Sequence, residues 1–599
     1  MPQDDSPGYL KPGVNDSGPP PRRCYQGTDL SNLCSGLKKI FKNASQPKCP
    51  KPERLLLLLL WLIPAASVSA GANRNAAALN VSESLASPAN VPAQAAWGDQ
   101  AEGTYSNPVM PGDFSDLDAI RVGENYYAIS STMQYSPGMA VISSKDLVNW
   151  TMIGHVVPDL TLIDPQLNWN KMNRPGRGIW AGAIRYRANR FWVYFGTPDD
   201  GIFMTTAVVP TGPWTQSKRV LAGVGWDDPC PFWDDDGQAY LVTTRFAPEG
   251  PSGRNYNIHL FKMNEDGTTL LAKSGRIIHQ SKGSEANKLY KIHNLYYHYY
   301  SEVRGEGRVP MMERSPSLDG PWETHQLMHV NAALDKEPNQ GGFVETPSGK
   351  WYFLTHQGSG DWEGRAGVLL PVTWIKGWPM IGKVGVDGIG NMIWRARKPI
   401  PGFPRTTLSA SDSFDEPVLK PEWEWNYQPR AGMWSLAEHP GALTMRAFPP
   451  LRPGDFRTIG DILTQRSLRT PQSEVTVKLD LSAMADGQEA GLTHFAKSYC
   501  TLGIVQKTKV RFLSYNQNGR RVTGPQISAS TIYLRSVWDF AGKSQFFYSL
   551  DGRTYQPFGD AYQLTWGSYR GDRIGVFTDN PQAVAGSLYV DSFQYQVQH

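Results

Sequence analysis

Between residues 116 and 352 one arrangement of polar and apolar positions occurs five times. A polar or aromatic residue is followed, roughly eleven residues later, by a turn and an aromatic strand. The aromatic runs are Tyr126-Tyr127, Phe191-Trp192, Tyr240-Leu241, Tyr296-Tyr297 and Trp351-Tyr352-Phe353. The turns before them are Gly123-Glu124-Asn125, Ala188-Asn189, Asp235-Asp236-Gly237, His293-Asn294 and Ser348-Gly349. A second cue, a turn followed by Trp, closes repeats at Asn149-Trp150, Gly212-Pro213-Trp214 and Gly320-Pro321-Trp322. Four strands per repeat and five repeats predict a five-bladed β-propeller over residues 101–400. Most of the aromatic pairs are expected to pack between blades. Pro399-Ile400-Pro401-Gly402-Phe403-Pro404 breaks the pattern and marks a boundary. Beyond it, strict alternation at Glu474–Asp480 and Ser587–Phe593 predicts an antiparallel β-sandwich (jelly-roll) over 401–599. The fold class is therefore all-β.

Composition sharpens this picture in two places. The chain has 599 residues, too many for one core, and is rich in Gly, Pro, Trp and Tyr, which suits short strands and tight turns. The net charge of +4 resides wholly in residues 1–54, with nine Lys/Arg against five Asp/Glu. The rest is balanced, which argues against nucleic acid or an anionic membrane as partner and is compatible with a neutral sugar polymer.

The leader, residues 1–70, reads as an address. Leu55–Ile63 is apolar and uncharged, follows Lys51 and Arg54, is broken by Pro64 and leads to Val68-Ser69-Ala70. This predicts a secretory signal and its cleavage site. The residues before it are long and polar for a signal, so an upstream mis-start and the cytosolic tail of an uncleaved anchor both stay open. The apolar run is short for a bilayer span. Every reading places the remainder outside the cytoplasm, whether secreted, periplasmic or extracellular. No Cys stands directly after the run, which disfavours a lipid anchor. Cys24, Cys34 and Cys49 lie in the leader, and Cys230 and Cys500 fall in different domains, so no disulfide framework is expected. Residues 71–100, rich in Ala, Asn and Ser, read as a linker.

The candidate chemistry lies at one phase of the repeat. Asp116, Trp180, Asp228, Glu285 and Gln340 occupy equivalent positions. If the repeats close radially, these positions face one axis and three acids converge, as a two-carboxylate hydrolase with a third, tuning acid requires. A lone Asp before a strand is more often a turn or cap residue. Asp113 and Asp118 compete with Asp116, and Asp227 competes with Asp228.

The motifs resemble those of glycoside hydrolase family 43. Asn107-Pro108-Val109-Met110-Pro111-Gly112-Asp113-Phe114-Ser115-Asp116 resembles its opening motif, and Gly178-Ile179-Trp180-Ala181 its second-blade motif. Asp227-Asp228-Pro229-Cys230-Pro231-Phe232-Trp233, Glu285-Ala286-Asn287-Lys288-Leu289-Tyr290 and Asn339-Gln340-Gly341-Gly342-Phe343 resemble those that follow. Trp434-Ser435-Leu436 through Pro440-Gly441 is similar to the start of the concanavalin A-like sandwich of xylosidase-like members. The resemblance implies an inverting, usually exo-acting glycosidase that releases terminal xylose or arabinofuranose from xylan or arabinan oligosaccharides. It implies Asp116 as general base, Glu285 as general acid, and Asp228 as the acid that tunes Glu285. Inversion needs one carboxylate ionised to activate water and another protonated for the leaving oxygen, roughly 6.5–9.5 Å apart. A third carboxylate raises the acid's pKa by like-charge repulsion.

The same resemblance implies that Arg365 contacts the sugar. Trp180 and Met133 offer an apolar subsite floor, and Gln340 a hydroxyl contact. The chain departs from the family at Leu117, where Pro is usual, at Ala286-Asn287, where Gly-Pro is usual, and at Asn339, where His is frequent. These departures keep open a catalytically decayed carbohydrate-binding protein; a galactan-directed hydrolase and a transglycosylase are further alternatives. No cofactor is expected and no metal is assigned, because His279, His293, His298 and His356 show no ligand spacing. Asp412 and Asp591 are candidate contributors to a structural calcium in the sandwich, where two acids fall far short of a full shell. The sandwich is expected to pack on the propeller, shape the pocket rim or bind carbohydrate. The oligomeric state is not legible.

Overall fold

The computed structural model describes residues 96–100, 102–246, 255–330, 339–357, 361–567 and 570–599. The leader and nearly all of the linker lie outside the described residues, as do Cys24, Cys34 and Cys49. Regular structure among the described residues is β-strand, with single turns of 3-10 helix. No helix among them is long and apolar enough to cross a membrane.

Five four-stranded antiparallel sheets follow one another along the chain, each a simple meander. The first holds Asp118–Val122, Asn125–Ser130, Gly138–Ser144 and Trp150–Val157. The other four begin at Gly182–Arg187, Trp226–Trp233, Glu285–Ile292 and Gly341–Glu345. The aromatic runs lie on the second strand of each sheet, Asn125–Ser130, Arg190–Thr197, Ala239–Phe246, Leu295–Arg304 and Trp351–Gln357. The turns before them have the left-handed residues such hairpins need. Ala188 and Asn189 have φ of 50° and 57°, and His293 and Asn294 have 50° and 64°.

The first strands of the first four sheets contact one another in succession, and that of the fifth sheet contacts that of the first. Gly342 shows how close that last approach is: a Cβ there would lie 2.5 Å from Ala119 N. Buried aromatic and aliphatic side chains fill the spaces between sheets. Tyr290, Tyr299, Phe343 and Phe353 interlock between the fourth and fifth, for example.

The C-terminal domain is two antiparallel sheets around one core. The first runs Arg520–Ile527, Val510–Gln517, Tyr499–Lys507, Glu489–Phe495, Arg573–Asp579, Ile462–Arg466 and Glu424–Asn426. The second is built on Gln472–Asp480, Thr531–Asp539 and Ser587–Val597. Alternation in Gln472–Asp480 turns Val475, Val477 and Leu479 inward, where they join Leu492, Leu502, Ile574 and Val576.

The boundary read near residue 400 is not clean in space. Tyr135–Ser136, from the N-terminal domain, pairs with Glu424–Asn426 and becomes the eighth strand of the first sandwich sheet. Trp362, also N-terminal in sequence, belongs to the sandwich core. Cys230 and Cys500 are buried free thiols.

Candidate active site

Asp116, Trp180, Asp228, Glu285 and Gln340, each on or just before the first strand of its sheet, line a single cavity of about 540 Å³. Met133 and Arg365 line it too, so all seven residues singled out in the sequence meet there. The backbone is bent to place the acids. Asp116 and Asp228 have φ of 57° and 49°, and Met133 and Ala286 have 54° and 70°. Such left-handed non-glycine residues cost about 1–3 kcal/mol each and gather at functional sites. Register shifts between Asp227 and Cys230, and between Glu285 and Lys288, are β-bulges at matching places in two neighbouring sheets. Each re-aims a carboxylate out of the ladder.

Asp116 is held by two side-chain donors. Arg365 Nη1 donates to its Oδ1 at 2.6 Å and Ser131 Oγ to its Oδ2 at 2.7 Å. Its backbone N–H donates to Nδ1 of His356 at 2.9 Å. Burial, then the guanidinium groups of Arg365 and Arg308, hold His356 well below the usual imidazole range, so the ring is neutral and accepts there.

Glu285 lies across the cavity. Asn339 Nδ2 donates to its Oε1 at 3.1 Å, and Arg308 Nη1 stands 3.2 Å from the same oxygen. Behind it, the Oδ2 of Asp228 accepts from Ala286 N–H at 2.7 Å, which locks the tuning candidate onto the bulge that carries Glu285. Burial first, and then the Glu285 carboxylate, push Asp228 up to about 7; the Lys288 ammonium and the Ala286 N–H pull the other way. Asp227, the competitor in the sequence, also lines the cavity. Burial and the adjacent Asp228 raise it well above the carboxylate range, and its Oδ1 has no hydrogen-bond partner among the described residues.

An apolar wall faces the acids. The Trp180 ring is anchored by its Nε1–H donating to Gly176 O at 3.1 Å, and Phe246 meets it edge-on at 6.4 Å. Tyr256 extends the wall, its ring 4.7 Å from that of Phe246. Met133 pairs with Ile179, the residue before Trp180. Gly178 (φ 101°) permits that approach, since a Cβ there would sit 2.5 Å from Met133 O. Gln340 turns a buried amide with an unpartnered Nε2, among the described residues, toward this site.

Sequence reasoning singled out none of Ser131, His356, Arg308, Phe246 and Tyr256, and noted Asn339 only as a departure from the family. All but Asn339 lie away from the repeated phase, on a second or third strand or beside one.

Among the described residues no group of three or more His, Cys, Asp or Glu is placed to hold a metal ion. The Asp412 carboxylate accepts from Phe414 N–H and Trp423 Nε1–H, and Asp591 pairs with Lys478 at 2.8 Å. Both calcium candidates are thus engaged by protein donors. His279, on the last strand of the third sheet, pairs with Glu302 and Glu313 of the fourth, and His298 pairs with Glu313.

Residues 105–379 match the family model for glycosyl hydrolases family 43, and residues 411–596 that for the beta xylosidase C-terminal concanavalin A-like domain. A beta-xylosidase of Formosa agariphila is 31% identical over 83% of this chain and 91% of its own. A putative beta-xylosidase of Xylanibacter ruminicola is 32% identical over 81% and 88%. A non-reducing end alpha-L-arabinofuranosidase of Bacteroides ovatus is 30% identical over 58% and 65%. The crystal structure of a family 43 protein of Bacillus licheniformis superposes with a TM-score of 0.70 at 25% identity, covering 83% of this chain and all of that one.

Proposed function

The chain belongs to glycosyl hydrolase family 43 and is a glycoside hydrolase, and within that frame we propose that it inverts configuration while releasing terminal xylose or arabinofuranose from xylan- or arabinan-derived oligosaccharides. The five sheets are read as the blades of a propeller whose axis runs through the cavity. The observation that carries the reading is the meeting of Asp116, from the first sheet, and Glu285, from the fourth, in one cavity backed by buried Asp228.

In this mechanism Asp116 takes a proton from water as that water attacks the anomeric carbon. Two donors on its carboxylate fix its orientation. Glu285 gives its proton to the departing glycosidic oxygen. Asn339 and Arg308 both engage Oε1, so the transferable proton is assigned to Oε2. Arg308 favours the carboxylate left after transfer, whereas Asp228, when ionised, favours the acid before it. The sugar ring packs on Trp180 and Met133, with Gln340 and Arg365 in reach of its hydroxyls. The names of the relatives support a pentoside substrate, and the leader supports action outside the cytoplasm.

Proton NMR of the first-formed sugar from a nitrophenyl xyloside or arabinofuranoside tests the reading. An inverted anomer is expected. A retained anomer contradicts Asp116 as base, and saturable binding without release makes the protein a carbohydrate binder.

A further inference from the structure

The loop that brings Arg365 to Asp116 is packed into the other domain. Trp362 is 3% exposed and sits in the sandwich core. Arg469, from the sandwich, lies with its guanidinium 5.1 Å from the Trp362 ring. It pairs through Nη1 with Glu363 at 2.7 Å and through Nη2 with Asp361 at 2.6 Å. Asp572 N–H donates to Trp362 O at 2.7 Å. Gly571 presses on the same segment, and a Cβ there would lie 2.4 Å from Glu363 O.

The segment that carries Asp116 is gripped from the same side. Arg469 N–H donates to Pro111 O at 2.7 Å, and Arg466 Nε to Asp113 O at 2.6 Å. Phe114 N–H donates to Arg365 O at 2.9 Å and ties the two segments together. The named partners of Glu285, by contrast, all come from the five-sheet domain.

We propose that the sandwich is the mount of the catalytic base: Arg469 and the contact at Gly571 position Arg365, and through it Asp116. Arg469 touches no reacting atom and is a positioning residue. A guanidinium bridging two carboxylates fixes geometry as well as charge. Displacing a reacting group by about 1 Å can lower the rate by roughly a hundredfold.

The inference rests on reading Asp116 as the base, and its test separates the two. In the full chain, Arg469→Met and Gly571→Ala are compared with Asp116→Ala on aryl xylosides of good and poor leaving ability. Both positioning variants are expected to lose about 10- to 100-fold in kcat, by a similar factor on both substrate kinds, with KM changed less. Sodium azide should restore part of the rate on the good leaving group. The azide nitrogen bonds to the anomeric carbon as the aryloxide departs with the electron pair, giving an inverted glycosyl azide. Mere loss of folded protein would show no azide recovery. If Arg469→Met does not fold, Gly571→Ala decides. Variants within about twofold of the parent kcat, or slowed without azide recovery, overturn the mount. An Asp116→Ala enzyme that keeps its rate overturns the base assignment itself.

Discussion

The two sides of the cavity are built differently. The base side is stitched between two domains, with an arginine, a hydroxyl and a neutral imidazole converging on Asp116. The acid side is a pair of bulges within one domain, where Glu285 shares its surroundings with two more buried carboxyl groups. The difference follows from the tasks. A base must stay ionised and point one way, which strong donors achieve. An acid must hold and release a proton, which needs opposing influences close to balance.

The comparison is broken most severely at Asp116. Asp116→Ala is expected to lower kcat/KM about 10³- to 10⁴-fold, equally for good and poor leaving groups, because every substrate needs activated water. Glu285→Ala should lose about 10²- to 10³-fold on unactivated oligosaccharides but tenfold or less on nitrophenyl glycosides, which need little protonation. Steady-state kinetics across a leaving-group series checks both, and equal small losses would mean the acids are misassigned.

Asp228→Asn should cost about tenfold in kcat and move the alkaline limb of the pH–rate profile to lower pH, since the charge behind Glu285 is gone. The same change should stabilise the fold. Asp228 is raised from 3.8 to about 7, so the native state holds a proton that the unfolded chain has released. Its penalty is absent below pH 3.8, grows as pH rises to about 7, and is constant above. The variant should therefore melt above the parent at pH 8 and coincide with it below pH 4. The smallest effect is expected from Asp227→Asn, which mimics the protonated form that burial favours. Its kcat should stay within about threefold, and a loss as large as that of Asp228→Asn would reverse the two roles.

Much of the cavity was legible because the repeat places one residue per sheet at the same phase, and that phase proved to be the cavity-facing one. Trp180 and Gln340 were found this way as readily as the acids. Arg308 and His356 were not, because they approach the acids from the third strand of the fourth sheet and the second strand of the fifth. Their proximity to Glu285 and Asp116 is set by cross-strand register, which leaves no short motif. The choice between Asp227 and Asp228 was open for a similar reason. The bulge, not the spacing, decides which carboxyl receives the Ala286 N–H. The sandwich was legible from alternation, yet its hold on residues 111–116 and 361–365 was not, since nothing local in those segments announces a partner more than a hundred residues away.

The strand at Tyr135–Ser136 has a practical consequence. Severing the chain near residue 400 would strip the first sandwich sheet of its outermost member and leave Glu424–Asn426 as a bare edge. Unpaired backbone of that kind recruits other chains and promotes clumping. Anyone wishing to graft this sandwich onto another enzyme would have to carry the 135–136 hairpin along, or cap the exposed edge by design.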